Sequence, residues 1–183
     1  DELIEEGVFP AVRKAEARYI PVHLRDTLQK SAQWGAVRIT PPNSDTTEVT
    51  VKGRVLRSDG EELEISVEVF DSAGRTWLKE TYDASANDNS YAVEEVTDRD
   101  PFQNVYNEIA NDMVKARDKL TPNELINLRQ VSSLRFAADL APKPFGSYIA
   151  LDNEGLYFAR RLPARDDPMV QRIQSLHQRD LML

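Results

Sequence analysis

The stretch VTVKGRVLRSDGEELEISVEVFDSAGRTW, residues 49–77, alternates apolar and polar positions almost without a break. Val49, Val51, Gly53 and Val55 fall on one side of an extended chain, and Thr50, Lys52 and Arg54 fall on the other. Ser58-Asp-Gly60 has turn chemistry. Beyond it Leu63, Ile65, Val67 and Val69 alternate with Glu64, Ser66 and Glu68. Asp71-Ser-Ala-Gly74 offers a second turn, and Thr76 to Tyr82 a third strand. Side chains change face at every residue of a strand, so this pattern with its glycine turns predicts two consecutive β-hairpins. A sheet with one polar face is antiparallel or mixed, and its apolar face must be covered.

The cover is written downstream. Asp100-Pro101 reads as a helix cap followed by proline at the first helical position. Phe102, Val105, Tyr106, Ile109 and Met113 then recur at helical spacing. Thr121-Pro-Asn-Glu124 is a capping box that opens a second helix, with Leu125, Leu128, Val131, Leu134 and Ala138 as its stripe and Pro142 and Pro144 closing it. Upstream, the spacing predicts a short helix over Ala11–Arg18, a better one from Pro21 stopped by Gly35, and a short strand over Ala36–Thr40. After Gly146 a short hairpin is expected from Tyr148–Leu151 and Gly155–Leu162, then a terminal helix from Met169 to Leu183. The expected fold is α/β in the α+β sense: an antiparallel or mixed sheet with a central β-meander covered on one face by amphipathic helices. The expected organisation is a domain over 1–145, with its core in about 20–140, and a C-terminal extension over 146–183.

Bulk properties narrow the classes of function. The 183 residues are 40% hydrophobic and 30% charged, long enough to bury roughly 70% of the unfolded surface without staples. The net charge of −8 opposes binding through nucleic-acid phosphate, which needs clustered Lys and Arg. The absence of cysteine excludes disulfides, thiolate nucleophiles, iron–sulfur clusters and cysteine-ligated zinc. No run of 18 apolar residues is present to span a bilayer. The chain opens at Asp1 rather than Met, and a processed fragment with a signal peptide or lipid-attachment cysteine upstream is expected.

Reaction signatures are missing from the sequence. His23 and His177 lack the spacing of a zinc motif, and the serines lack a nucleophile elbow. The seven glycines form no phosphate-cradling loop. The acidic segment Asp83–Arg99, which holds Asp88, Glu94 and Glu95, lacks the calcium-loop spacing. Glu61–Glu62 and Asp166–Asp167 are adjacent carboxylates, and adjacency gives neither pair a shared face for glycosidase work. No catalytic residue, metal or cofactor is therefore expected, and the protein is read as a non-enzyme. The candidate interaction surface is Phe70, Trp77 and Tyr82 on the wet face of the sheet, with Asp88, Glu94 and Glu95 of the acidic segment beside it.

The landmarks Val51, Gly53, Leu63, Val67, Asp71 and Gly74, with the helix "DPFQNVYNEIANDMVKARDKL", resemble the meander and packing helix of a group of bacterial envelope domains. The group includes the amino-terminal domain of the Tol system's propeller protein, the curli secretion lipoprotein, lipoprotein activators of penicillin-binding proteins and the ring-forming lipoprotein of an exopolysaccharide exporter. The likeness covers roughly residues 20–120, and its motifs are structural. It implies a non-enzymatic scaffold or assembly domain in the periplasm, tethered to the outer membrane by an N-terminal lipid. Its partners would be envelope proteins or further copies of itself. The alternatives are binding of peptidoglycan or exopolysaccharide through exposed aromatics and, further off, a carboxylate-dependent hydrolase.

Overall fold

The structure, a computed structural model, describes residues 10–40, 47–58, 61–86, 100–164 and 166–180. The elements in order are α1 (Pro10–Lys30), β1 (Val49–Ser58), β2 (Glu62–Asp71), β3 (Thr76–Ser85), α2 (Gln103–Arg117), α3 (Pro122–Leu140), α4 (Pro142–Phe145), a 3-10 turn (Gly146–Tyr148), β4 (Ile149–Leu151), β5 (Tyr157–Ala159) and α5 (Pro168–Asp180). The class is mixed α and β: an antiparallel three-stranded sheet in the order β1-β2-β3, a separate β4-β5 ribbon, and helices. Both hairpins of the meander stand where the alternation places them.

The start of the chain departs from expectation. One helix runs through Pro21, where a break and restart were expected. Proline's fixed φ is itself helical. What the helix loses is one N–H donor, at a cost of about 3 kcal/mol. The helix stops well before Gly35: Ala32 takes the left-handed conformation at φ 54, and the Ser31 hydroxyl donates to the Leu28 carbonyl at 2.6 Å. The strand expected over Ala36–Thr40 is irregular chain.

In β2 the alternation is read out fully. Leu63, Ile65, Val67, Val69 and Asp71 are buried, while Glu64, Ser66, Glu68 and Phe70 are half-buried on the opposite side. The turn to β3 has a defined geometry. The Gly74 N–H donates to the Asp71 carbonyl, the Asp71 N–H donates to the Arg75 carbonyl, and Gly74 sits at φ +93. This is a three-residue hairpin loop ending in a left-handed bulge glycine, a position that favours a residue without Cβ. At the far end of the hairpin the Ala86 N–H donates to the Glu61 carbonyl. Glu61 lies ten residues before Asp71, and Ala86 lies eleven after Arg75. The strand β3 thus carries one extra residue between these bonds, and its side-chain alternation changes face along its length.

The described chain divides into two compact units. The first comprises residues 1–39, 51–68 and 78–116, and the second 40–50, 69–77 and 117–183. In the first unit Val105, Tyr106, Ile109, Ala110 and Met113 form the buried face of α2. The Tyr82 hydroxyl ties β3 to this helix by donating to Asp112 Oδ2 at 3.1 Å. Gln103 Nε2 on α2 donates to the Thr27 hydroxyl on α1 at 2.9 Å. The cap at Asp100 forms as the sequence indicates, its Oδ1 accepting the Phe102 N–H at 2.7 Å.

In the second unit α3 opens with the anticipated capping box. Thr121 Oγ1 accepts the Glu124 N–H at 3.3 Å, and Glu124 Oε2 accepts the Thr121 N–H at 2.8 Å. The C-terminal helix α5 packs Val170 and Ile173 against Ala137 of α3 and Phe145 of α4, and the His177 ring stacks on Phe136 at 4.5 Å.

Candidate interaction surface

The wet-face cluster expected of Phe70, Trp77 and Tyr82 does not form. Phe70 is half-buried on the outer face of β2. Trp77 points to the other face, where its indole N–H donates at 2.9 Å to Oδ2 of the buried Asp71. Tyr82 is 6% exposed and bonded to Asp112. Burial, followed by the hydrogen bond to Asp112, raises its phenol well above the ordinary value. The physical reason is the pair of irregularities in the hairpin. The three-residue loop sets Trp77 across from Val69, and the extra residue in β3 then turns Tyr82 to the same buried side. Asp88, Glu94 and Glu95 lie outside the described residues.

Trp77 belongs instead to a hub built on the hairpin tip of the second unit. Asp71 Oδ1 accepts the Arg75 N–H at 2.9 Å. The Ser72 hydroxyl donates to the Leu128 carbonyl at 2.7 Å, and the Ser72 carbonyl accepts from Arg135 Nη1 at 2.9 Å. The Ala73 carbonyl accepts the Tyr157 N–H at 2.8 Å. Arg75 Nη1 donates to Glu124 Oε1 at 2.7 Å. Glu124 therefore serves both the capping box and the hub. The Thr121 N–H and hydroxyl, and after them Arg75, hold its carboxyl down to about 2.

Beside the hub lies an open groove of about 420 Å³ lined by Arg135, Ala138, Asp139, Gly146, Ile149, Ala150, Leu151 and Tyr157. The helix α3 supplies one wall and the β4-β5 ribbon the other. The Arg135 guanidinium lies over the Tyr157 ring at 4.9 Å, which fixes it against the ribbon. Leu151, in the groove lining, is 55% exposed; Leu140 at the end of α3 is 53% exposed and Phe158, on the far face of the ribbon, 37%. Leu162, just past β5, is 56% exposed. The ribbon itself was legible in sequence. The groove was not, because its walls come from residues 135–139 and 146–157, and no periodicity in either segment announces that they meet.

The first unit holds a second polar feature. The Asp100 side chain is 2% exposed; its Oδ2 lies 3.5 Å from His23 Nδ1 and makes no hydrogen bond among the described residues. The Tyr106 hydroxyl is likewise buried without a partner among the described residues. Burial, and then the nearby Asp100 charge, raises the Tyr106 phenol. The His23 ring stacks at 5.9 Å on Tyr106 and at 3.9 Å, tilted, on Tyr19.

Among the described residues no group of three or more His, Asp or Glu is arranged to hold a metal, and no helix is long and apolar enough to cross a membrane. No protein-family model, curated protein or solved structure matches the chain.

Proposed function

We propose that the chain is a non-enzymatic assembly domain of the bacterial cell envelope, held in the periplasm by a lipid anchor at the outer membrane, and that it binds protein partners through the groove side of its second unit. The observation that carries this reading is the set of exposed apolar side chains on the elements that build the groove: Leu151 in its lining, Leu140 at the end of α3, Phe158 on the far face of the ribbon and Leu162 just past it. Isolated exposed leucines are ordinary on any protein, whereas several on neighbouring elements of one unit mark a contact surface. Within the groove the charged side chains are one cation and one carboxylate, Arg135 and Asp139, and the cation is already engaged by Ser72 and Tyr157. Such a lining suits binding better than bond cleavage, which needs converging titratable groups. The likeness of residues 20–120 to envelope domains supports the compartment and the anchor. The glycan reading loses its stacking pair, because Trp77 is tied to Asp71 and Tyr82 is buried.

The test is photo-crosslinking in cells expressing the full-length precursor. A photoreactive phenylalanine analogue is placed at Phe158 or Leu162 and, as control, at Lys52 on β1. Adducts of defined mass at the first two positions, absent at the control, support the reading. Adducts at none of them, or equally at all three, overturn it. Labelling with radioactive palmitate together with membrane fractionation tests the anchor.

A further inference from the structure

We propose that the partner binds as an extended, basic and apolar peptide segment that adds a strand to the open edge of β4, which rests on the binding function proposed above. The strand edge is defined by the bonding pattern of the ribbon. Ile149, Ala150 and Leu151 face Ala159, Phe158 and Tyr157. The Asp152 N–H donates to the Leu156 carbonyl and the Arg160 N–H to the Tyr148 carbonyl. Hydrogen-bonded pairs alternate along an antiparallel ladder, so the pair between these two is Ala150 with Phe158. The N–H and C=O groups of Ile149 and Leu151 therefore point away from β5. The Tyr157 N–H confirms this phase, since it too leaves the ribbon on its own outer side, toward Ala73. On the β5 side the outer edge is thus occupied at Tyr157. On the β4 side Ile149 and Leu151 have no hydrogen-bond partner among the described residues, and they line the groove.

An exposed edge with unspent donors and acceptors is a template for another strand, and natural proteins protect such edges with charges, proline or a covering element. Ile149-Ala-Leu151 has none of these within it, and Leu151 is 55% exposed. A peptide paired there would satisfy the backbone groups and set alternate side chains into the groove against Ala138, Gly146 and Leu151. The charge of the occupant follows from the same place. Asp139 is exposed in the groove and makes no ion pair among the described residues, and Glu154 stands exposed at the ribbon tip. Two of the positive groups nearby are engaged, Arg135 with Ser72 and Tyr157, and Arg161 with Ser147 and, at 4.3 Å, the Tyr148 ring; Arg160, just past β5, and Lys143 of α4 are exposed. With −8 on the whole chain, a lysine-bearing segment is favoured over a second copy of the same protein.

The probe is a capped synthetic peptide of alternating Val and Lys, with a Val and Glu peptide of equal length as control, titrated into the isotopically labelled chain. The expected result is saturable binding of the Lys peptide alone, with slowed hydrogen exchange at the Ile149 and Leu151 amides. In Leu151→Pro, which removes an outward N–H and spares the Ala150–Phe158 pair, affinity falls at least tenfold while the amide spectrum of the first unit is unchanged. Asp139→Lys removes the preference between the two peptides. Binding unaffected by Leu151→Pro, equal binding of the Glu peptide, or exchange at Ile149 and Leu151 unchanged on saturation overturns the proposal. A dimer of the peptide-free chain in sedimentation that Leu151→Pro dissolves also overturns it, in favour of a second copy as occupant. An in-cell adduct at Phe158 that survives Leu151→Pro defeats edge pairing and leaves the binding function standing.

Discussion

Asp71 shows how one side chain can decide a neighbourhood. It is 2% exposed, yet its two oxygens are spent on the Arg75 N–H and the Trp77 indole. Hydrogen bonds to a buried charge contribute more than neutral ones, about 1.5–3 kcal/mol each. Asp71→Asn turns an amide N–H₂ toward one of two donors. The expected loss is about 2 kcal/mol, read as a lower urea midpoint with altered Trp fluorescence; an unchanged midpoint contradicts the assigned bonds. At Glu124 the residue scale meets pH. Its folded value near 2 lies below the ordinary 4.5, so its contribution is complete above about pH 5 and fades as pH falls toward 2. Glu124→Gln should lower stability at neutral pH and flatten the acid-unfolding curve between about pH 5 and pH 2.

At the scale of elements the sequence was most informative where the chain speaks with a single period. The meander, α2 and the capped start of α3 all stand where spacing and cap residues put them. The failures have local causes. Pro21 looks like a beginning because proline so often opens a helix, but its ring also fits a helix already running. Trp77 and Tyr82 are an odd number of residues apart, so strict alternation leaves only one of them on the wet face, and with the extra residue in β3 neither stands there. No residue type marks where that extra residue sits, which is why the expected site dissolved while the expected strands survived. The packing of α5 is testable at this scale. Ile173 is 8% exposed in the cluster with Ala137 and Phe145. Ile173→Ala should cost about 2–3 kcal/mol and free the last helix first, detected as early loss of hydrogen-exchange protection over 168–180. Uniform loss across the chain would show that α5 is not a separable layer.

For the whole molecule, fold class was readable and the groove was not. Class follows from the order of periodic segments, each of which carries its own signal. A groove arises where two segments distant in sequence come together, and Arg135, Asp139 and Leu151 carry no motif that anticipates their meeting. Asp88, Glu94 and Glu95, singled out in sequence, lie outside the described residues.

The hub at Ser72–Arg75 bears on how the protein can be engineered. Hairpin tips are usually the safest places to graft foreign sequence. Here the two tips are opposites. An epitope tag spliced between Asn153 and Glu154 meets solvent, and soluble yield should hold. The same tag between Ser72 and Ala73 has to tear out bonds to Leu128, Arg135 and Tyr157 and should send the product to inclusion bodies. Equal yields from the two grafts would mean that the tip is a passenger and not the clasp of its unit.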